Sequence, residues 1–496
     1  MQLSNMYEAL INDRVKYPER TSATLERVLE VVRNVLDGDE AEHVTYDIQG
    51  ALRNTPGRKP LSGDEARKII RSMDISGIDP GKMDRIADQL MLSELSTEEV
   101  LQLHEDYKIP VSRLETDILP VKGDGCWIMD SKGDWYLDLD SNYSASNLGM
   151  ANREIAIGLK NQAEQLISMK EDRVQVARAR FLKEIEPMMP DGLDYFYWQN
   201  SGGEAVDKSL KIAKAYTKSK DVIAFKNGFH GRTHGAVAVT YNEKYRKPFF
   251  LHEEEWVHFA DFNDISSVGS LLDETKAKII IMEMVQGEEA GNLPATQEFI
   301  DSLWKLAREK NVVIIDDEVQ AGFGRTAVKS GDWFACDSYN VVPDIMVIGK
   351  SFGGGYPVTA VVTNEKIKNG MVPGYDGSTF GGNPMAMTAA LIATRQMRRK
   401  DITTNVVERA SQMEEGLKEI FRQYRVVEGF RNRGLMISID LGKEENVTRM
   451  QDGLRKRGIK TSLSTGRYIR FLPPTIISAG EVDLVLRTLK ETLDDL

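Results

Sequence analysis

The chain has 496 residues, too many for one simple hydrophobic core, so two or three domains are expected. Its formal net charge of −12 argues against nucleic acid or an anionic membrane as a partner, and neither a signal peptide nor an apolar stretch long enough to span a bilayer is apparent. The two cysteines, Cys126 and Cys336, are too few for a disulfide framework and favour a cytoplasmic location, and no group of Cys and His residues has the spacing of metal ligands.

Helical patterns dominate the first 112 residues and predict a helical extension ahead of the rest of the chain. From Thr24 to Leu36 the apolar residues recur on one face of a helix. These residues are Leu25, Val28, Leu29, Val32 and Leu36. Two further stretches, Ser62–Glu65 and Ser96–Glu99, have the pattern of a capping box, which begins a helix.

A candidate anion site precedes the helical pattern from Val206 to Tyr216. Ser201, Gly202 and Gly203 would present free backbone N–H groups and the positive end of the helix dipole to an anion. Many helices begin with Ser and Gly, so this pattern indicates an anion site only in combination with other motifs. The next segment, Phe225–Thr233, adds a flat aromatic ring for stacking and an arginine for a carboxylate.

Two apolar runs predict buried strands of a parallel sheet, and each ends in a reactive side chain. The run beginning at Asn311 ends in the carboxylates of Asp316, Asp317 and Glu318, and the next run ends at Lys350 ahead of a glycine-rich loop. Open α/β sheets bind ligands at such strand ends. A desolvated lysine loses its proton easily and becomes a nucleophile able to form a Schiff base. A structural salt bridge, or a solvated lysine, is the alternative.

The separation between Asp317 and Lys350 is long enough for a crossover between neighbouring parallel strands. A buried carboxylate and a buried lysine at adjacent strand ends suit pyridoxal 5'-phosphate. The lysine would hold the aldehyde carbon, and the carboxylate would keep the pyridine nitrogen protonated so that the ring acts as an electron sink.

Five motifs, in this order, closely resemble those of the class III (omega) aminotransferases of pyridoxal-phosphate fold type I, and most of all those of ornithine and acetylornithine aminotransferases. The resemblance covers roughly residues 115 to 480. The motifs are Asn200–Ala205, Phe229–Thr233, Asp317–Thr326, Pro343–Lys350 and Gly377–Pro384.

The resemblance implies a cofactor site built from these motifs. Its residues are Ser201, Gly202, Gly203, Phe229, His230, Asp317, Gln320, Lys350 and Thr379. Lys350 would form the Schiff base and carry the proton, and Asp317 would pair with the pyridine nitrogen. Gln320 would lie near the phenolic oxygen, Phe229 would stack on the ring, and the Ser-Gly-Gly turn would hold the phosphate. Thr379 would reach the phosphate from the other subunit, which makes a homodimer part of the site.

The resemblance also implies a substrate site. Tyr143 and Arg232 would bind the substrate α-carboxylate, and Glu288 would pair with Arg470. In the family this pair is a switch. Closed, it suits a substrate with a side-chain amine, and open, it frees the arginine for the carboxylate of glutamate or 2-oxoglutarate. A buried arginine without a partner would be costly, which makes the pairing physically reasonable.

Some positions depart from the family pattern, and they flank the substrate pocket of relatives. Met284 stands where a proline is usual, and Asp376 stands where a histidine often precedes Gly-Ser-Thr. The cofactor residues are not affected, so these departures bear on the identity of the substrate alone.

The expected fold class is α/β, with a large domain around a mostly parallel sheet and a small α+β domain. The expected boundaries are residues 1–112 for the helical extension, 113–167 for the first part of the small domain, 168–384 for the large domain and 385–496 for the rest of the small domain. Two interpretations of the extension remain open. It is either a helical cap that packs against the dimer, or a docking or regulatory module.

The leading hypothesis is an aminotransferase that moves the terminal amine of an ornithine-, acetylornithine-, lysine- or GABA-like donor to 2-oxoglutarate by a ping-pong mechanism. A racemase, epimerase or aminomutase on the same fold is the second hypothesis, because such enzymes also use a Schiff-base lysine. A non-catalytic binding or scaffold protein is the third. Retention of Glu288 and Arg470 favours transamination, since the pair serves alternating substrates.

Overall fold

A computed structural model describes residues 97–112, 114–462 and 466–496, together with single residues and short stretches between residues 28 and 86. The chain divides into two compact units, Met1–Leu119 and Pro120–Leu496.

In the first unit, the described residues between 28 and 35 are helical. Val28, Val32 and Leu36 are buried, as the predicted apolar face requires, and Leu29 is half-buried. Helix α1, Thr97–Tyr107, begins within the predicted capping box and fully buries none of its residues. The predicted start at Ser62–Glu65 lies outside the described residues.

Strands and helices alternate along most of the second unit, which is the chain order of an α/β protein. Its strands are β1 (Pro120–Asp124), β2 (Trp127–Asp130), β3 (Trp135–Leu139), β4 (Tyr195–Gln199), β5 (Val222–Phe225), β6 (Val257–Ala260), β7 (Ile279–Met282), β8 (Val285–Gln286), β9 (Leu293–Pro294), β10 (Val313–Asp317), β11 (Ile345–Ile348), β12 (Thr359–Thr363), β13 (Gly429–Arg433), β14 (Met436–Asp440), β15 (Ile459–Thr461) and β16 (Tyr468–Phe471).

The helices of this unit are α2 (Arg153–Ala163), α3 (Val176–Ile185), α4 (Gly202–Thr217), α5 (His234–Ala238), α6 (Glu243–Arg246), α7 (Ile265–Thr275), α8 (Gln297–Lys310), α9 (Ala335–Ser338), α10 (Glu365–Lys368), α11 (Pro384–Arg399), α12 (Ile402–Gln423), α13 (Glu444–Lys456) and α14 (Ala479–Asp494). Short 3-10 turns occur at Glu186–Met188, Lys247–Phe249 and Lys350–Gly353.

The central sheet has seven strands in the order β4-β12-β11-β10-β7-β5-β6, and β12 alone among them runs antiparallel to its neighbours. The predicted α/β class with a mostly parallel sheet is therefore confirmed. Strands β5, β7, β10 and β11 are buried along their whole length, which explains why their sequences are continuous apolar runs.

The two predicted strands that carry Asp317 and Lys350 are direct neighbours in this sheet. Strands β10 and β11 pair in parallel, with Asp317 opposite Val347. Because parallel strands end at the same edge of a sheet, Asp317 and the lysine that follows β11 come to one edge.

Smaller sheets join distant parts of the chain. Strand β15 pairs in parallel with β3, so the four-stranded sheet β1-β2-β3-β15 unites residues before and after the central sheet. The antiparallel sheet β13-β14-β16 places Arg470 opposite Ser438. Within the described part of the chain, no helix combines the length and the apolar character that crossing a membrane requires.

Candidate active site

The candidate anion site lies at the N-terminus of α4, where the capping residues fix the first turn. The Ser201 hydroxyl accepts a hydrogen bond from the Glu204 amide, and the Glu204 carboxylate accepts one from the Ser201 amide, which forms a complete capping box. A Cβ on Gly203 would lie 2.9 Å from the Thr233 hydroxyl oxygen, and Gly231 has φ +127°. Two glycines therefore let the Phe229–Thr233 segment approach the helix N-terminus closely.

Asp317 is buried at the end of β10 and is held from two sides. Its Oδ2 accepts a hydrogen bond from His230 Nδ1 at 2.8 Å, and its Oδ1 accepts one from the Val319 amide at 3.2 Å. Burial by itself would lower the pKa of His230, but the hydrogen bond to Asp317 and the charges of Asp317 and Glu283 raise it above its ordinary value. His230 and Asp317 therefore form a buried hydrogen-bonded pair, and this contact opposes the effect of burial on the pKa of His230.

Glu283 is a buried carboxyl group of the same site that the sequence interpretation missed. Its Oε1 accepts a hydrogen bond from the Phe229 amide at 2.8 Å, which fixes the backbone of the predicted stacking residue. Burial raises the pKa of Glu283 to about 7. The sequence did contain a signal for Glu283, because it directly follows the apolar strand β7. Lys350 likewise lies just beyond the end of a strand, β11, and ligands of open α/β sheets bind at such strand ends.

Lys350 stands one residue beyond Gly349 after β11, with φ +48°. Burial lowers the pKa of its amine, and Arg470 lowers it further, whereas Glu288, Asp317 and Glu283 oppose this shift in part. The lysine, three carboxyl groups and an arginine therefore act on one another in one site. At a given pH, a larger fraction of the Lys350 amine is therefore neutral than for a solvated lysine.

Val319 joins three of these elements, although the sequence interpretation gave it no role. A Cβ on Gly202 and a Cβ on Gly349 would each lie 3.2 Å from Val319 Cγ1. The valine side chain thus packs between the N-terminus of α4 and the residue before Lys350. Its apolar side chain, just after a strand rich in similar residues, gave no sign of this position.

Tyr143 lies on a turn of four consecutive residues in the left-handed region. Ser141, Asn142, Tyr143 and Ser144 have φ values of 44°, 52°, 51° and 81°. Left-handed backbone costs about 1–2 kcal/mol for each residue that is not glycine, so the surroundings must hold the turn. Asp140 does so, because its carboxylate accepts hydrogen bonds from the Tyr143 amide, from Lys460 Nζ at 2.9 Å and from the Ser462 hydroxyl at 2.6 Å.

The turn is also tied to the other site elements. The Gln320 amide donates to the Tyr143 carbonyl at 3.4 Å, and the Ser351 hydroxyl, next to Lys350, donates to the Ser144 carbonyl at 3.0 Å. The fully buried Arg325 donates to the Ser141 hydroxyl at 3.3 Å. The fold therefore brings Tyr143 and Gln320 into contact with each other.

Glu288 and Arg470 form the predicted ion pair, with Glu288 Oε2 and Arg470 Nη2 2.9 Å apart. The Arg470 side chain is 2% exposed and that of Glu288 is 23% exposed, so the carboxylate is the more accessible partner. A guanidinium buried this deeply needs its counter-charge, which makes the pair a stable resting arrangement.

Arg232 and Thr379, the other predicted residues, are exposed. The Arg232 guanidinium carbon lies 3.7 Å from the centroid of the Tyr245 ring and 5.3 Å from that of Phe229. Thr379 lies on the loop before α11, and no described contact joins it to Lys350 within the chain.

Asp376, one of the departures from the family pattern, fixes this loop. Its carboxylate oxygens lie 2.5 Å from Lys208 Nζ and 2.6 Å from Lys211 Nζ, both on α4. Burial would raise the pKa of Asp376, but its hydrogen bonds to the two lysines and its neighbours lower it to about 2. The loop that carries Thr379 is therefore anchored to the helix whose N-terminus is the anion site.

A second carboxyl pair, Asp316 and Glu318, faces away from Asp317, since successive side chains of a strand alternate between its faces. Both are fully buried, and oxygens of the pair and the Cys336 sulfur lie within 4.8 Å of one another. Burial raises the pKa of both groups, and the charge of Glu318 raises the pKa of Asp316 further. We interpret the group as a carboxyl pair that shares a proton.

This pair predicts a pH dependence of stability. At pH values below the ordinary carboxylic acid range, both the folded and the unfolded chain carry the protons, and the pair costs nothing. Above that range the unfolded chain ionises first, so stability is lost as pH rises towards neutrality. We expect Glu318→Gln to reduce the fall in melting temperature between about pH 5 and about pH 8. The exposed Glu415→Gln is the control, and an identical fall in both variants would contradict the shared proton.

The family model described as aminotransferase class-III matches residues 109–493. The acetylornithine aminotransferase of Archaeoglobus fulgidus is 36% identical over 393 residues, which cover 79% of this chain and 97% of that protein. The LysW-aminoadipate semialdehyde/glutamate semialdehyde transaminase of Sulfolobus acidocaldarius is 36% identical over 378 residues, which cover 75% of this chain and 94% of that protein.

Solved structures show the same fold. The ornithine aminotransferase of Toxoplasma gondii superposes with a TM-score of 0.76 at 24% identity, over 82% of this chain and 97% of that one. A second structure of that protein has a TM-score of 0.74 at 24% identity, over 82% of this chain and 96% of that one, and shows partial occupancy of pyridoxal phosphate at its active site.

Proposed function

Because the chain belongs to the class III aminotransferase family, whose members depend on pyridoxal 5'-phosphate, we propose that it transfers the terminal amine of an ornithine- or acetylornithine-like donor to 2-oxoglutarate by a ping-pong mechanism. Lysine- and GABA-like donors belong to the same chemical class. The observation that carries the proposal is the buried ion pair of Glu288 and Arg470, whose charges both act on the Lys350 amine.

The residues of the site fit the cofactor. The Thr233 hydroxyl is buried beside Gly203 and has no hydrogen-bond partner among the described residues, which suits an anion at the N-terminus of α4. Ser201, Gly202 and Gly203 would hold the phosphate there. Asp317, which His230 holds by a hydrogen bond, would accept a hydrogen bond from the protonated pyridine nitrogen and so keep it protonated, and Phe229 would lie against the ring with Gln320 near its phenolic oxygen. When bound, the cofactor supplies an electron sink.

Lys350 would bind the cofactor covalently and then serve as the acid and base. Burial lowers the pKa of its amine, and the neutral form of that amine can take a proton from the substrate carbon and return it to a different atom. Glu288, Asp317 and Glu283 oppose this lowering of the pKa, because their charges favour the protonated amine.

The donor would lie between the two arginines. Arg232 and Tyr143 would bind its α-carboxylate, which directs the terminal amine towards Lys350. Glu288 would cover Arg470 while the side chain that enters carries an amine. In the second half-reaction the 2-oxoglutarate side-chain carboxylate would replace Glu288 on Arg470, by bidentate hydrogen bonds.

The second subunit of a homodimer would complete the cofactor site. Thr379 is exposed on a loop that Asp376 ties to α4, and it would contact the phosphate of the partner subunit. Cofactor occupancy would then depend on dimerisation.

The test separates the two half-reactions. We expect Arg470→Ala to slow the half-reaction with glutamate by about a hundredfold or more, because truncating one member of a buried charge pair removes a receptor worth several kcal/mol. Glu288→Ala is expected to improve the half-reaction with glutamate and to worsen that with ornithine, because Arg470 is then bare. Single-turnover spectra of the holoenzyme with each substrate measure both.

The control is Arg395→Ala, which removes an arginine from an exposed ion pair of the same length, 2.9 Å to Glu184. Neither half-reaction should change in it. If glutamate reacted normally without Arg470, the switch would be wrong. That result would favour the alternative hypothesis of a racemase, epimerase or aminomutase, in which no dicarboxylate enters the site.

A further inference from the structure

Glu289, the residue after Glu288, faces a different group of side chains. Its Oε2 accepts a hydrogen bond from Asn242 Nδ2 at 2.7 Å, and its Oε1 accepts one from the Tyr245 hydroxyl at 2.8 Å. Lys244 Nζ lies 3.9 Å from Oε1. The Glu289 side chain is only 10% exposed, so these contacts are made in a sheltered position where hydrogen bonds to a charged group are strong.

The ring of Tyr245, which Glu289 holds through the hydroxyl group, in turn contacts Arg232. The Arg232 guanidinium carbon lies 3.7 Å above the Tyr245 ring, and Phe229 stands edge-on to the same ring with centroids 6.0 Å apart. Among the described residues, Arg232 forms no hydrogen bond and no ion pair with a protein group. Two aromatic rings therefore hold the guanidinium by cation–π contacts and leave its N–H groups free for a ligand.

The backbone that follows Glu289 is anchored to β13 and β14. The Ser438 hydroxyl donates to the Gly291 carbonyl at 2.6 Å, and Arg431 donates to the Ala290 carbonyl at 2.9 Å. Asn292 donates to the Ile437 carbonyl at 2.8 Å. These contacts fix the position of Glu289, so its hydrogen bond to Tyr245 restrains the Tyr245 ring beside Arg232.

We propose that Glu289 is a positioning residue for the substrate carboxylate, because it holds the Tyr245 ring on which Arg232 lies. The inference rests on the proposed function and extends it. Two consecutive glutamates serve two arginines, with Glu288 covering Arg470 and Glu289 supporting Arg232. Loss of Glu288 changes the choice between substrates, whereas loss of Glu289 weakens every substrate that carries an α-carboxylate.

The experiment compares Tyr245→Phe, Glu289→Ala and the double variant, all as holoenzymes. Tyr245→Phe keeps the ring and removes only the hydroxyl that Glu289 binds. We expect each single variant to raise KM for ornithine about tenfold with kcat within about twofold, as befits loss of ground-state and transition-state binding alike. The double variant should be no worse than either single variant, because both remove the same interaction.

Two further measurements distinguish positioning from a general loss of structure. Turnover of 1,4-diaminobutane, which has the terminal amine of ornithine but no carboxylate, should be the same in parent and variants. Titration calorimetry with pentanoate, an unreactive carboxylate, should show binding about tenfold weaker in both single variants and none in Arg232→Ala. Tyr241→Phe is the control, since Tyr241 packs edge-on against Phe259.

The proposal is overturned if the parent does not bind pentanoate, if both single variants bind it as the parent does, or if diaminobutane suffers as much as ornithine. It is equally overturned if Arg232→Ala binds pentanoate normally. Failure of the proposed function has a different signature, namely a parent that binds pentanoate through Arg232 but does not exchange amino groups between ornithine and 2-oxoglutarate.

Discussion

We expect Lys350→Ala to abolish amino transfer while leaving the fold intact, because the buried Lys350 amine is the group on which the charges of Asp317, Glu288 and Arg470 act. The lysine would supply both the covalent attachment of the cofactor and the proton transfers, and loss of one group with two roles removes turnover rather than reducing it. The measurements are turnover with ornithine and 2-oxoglutarate, the visible absorbance of the bound cofactor, and the far-ultraviolet circular dichroism spectrum. The first should vanish, the second should shift, and the third should stay the same.

Lys226→Ala provides a matched control, because Lys226 directly follows β5 in the same sheet. Its side chain is partly exposed and pairs with Asp261 at 2.7 Å. Its loss should leave turnover unchanged. Transamination by Lys350→Ala at a rate near that of the parent would show that the catalytic amine lies elsewhere.

Asp317→Ala is expected to lower kcat/KM by at least about a thousandfold, since pre-organised charge is often the largest catalytic contribution. The buried carboxylate would no longer keep the pyridine nitrogen protonated, and His230 would lose the acceptor 2.8 Å from its Nδ1. The pKa of His230 should then fall, because burial remains while the hydrogen bond that raised it is gone. Steady-state kinetics and an NMR titration of the His230 ring measure the two effects separately.

Asp316→Asn is the matched control for this variant. Asp316 is the preceding residue and is equally buried, but its side chain belongs to the pair with Glu318 on the other side of the strand. Asp316→Asn should change stability and leave kcat/KM within about threefold of the parent. If Asp317→Ala stayed within about tenfold of the parent while Asp316→Asn did not, the roles of the two carboxylates would be reversed.

The stretches that the sequence determined are those whose chemistry is local. Buried strands β10 and β11 follow from continuous apolar runs, because a parallel sheet covered on both faces must be apolar throughout. The positions of Asp317 and Lys350 at one edge follow from the direction of parallel strands. The N-terminus of α4 at Ser201–Gly203 also follows from the sequence, since serine and glycine commonly begin a helix.

Contacts between distant segments were decided by the tertiary structure alone. Glu289 and Tyr245 are 44 residues apart, and Asp376 and Lys208 are 168 apart, so their pairing depends on where the chain crossings place them. The left-handed turn at Tyr143 had no sequence signal, because it contains no glycine and owes its conformation to Asp140, which Lys460 holds from 320 residues away. Apolar periodicity and strand direction are properties of a segment, whereas the partner of a buried charge is a property of the assembled fold, and only the latter fixes how each arginine of this site is held.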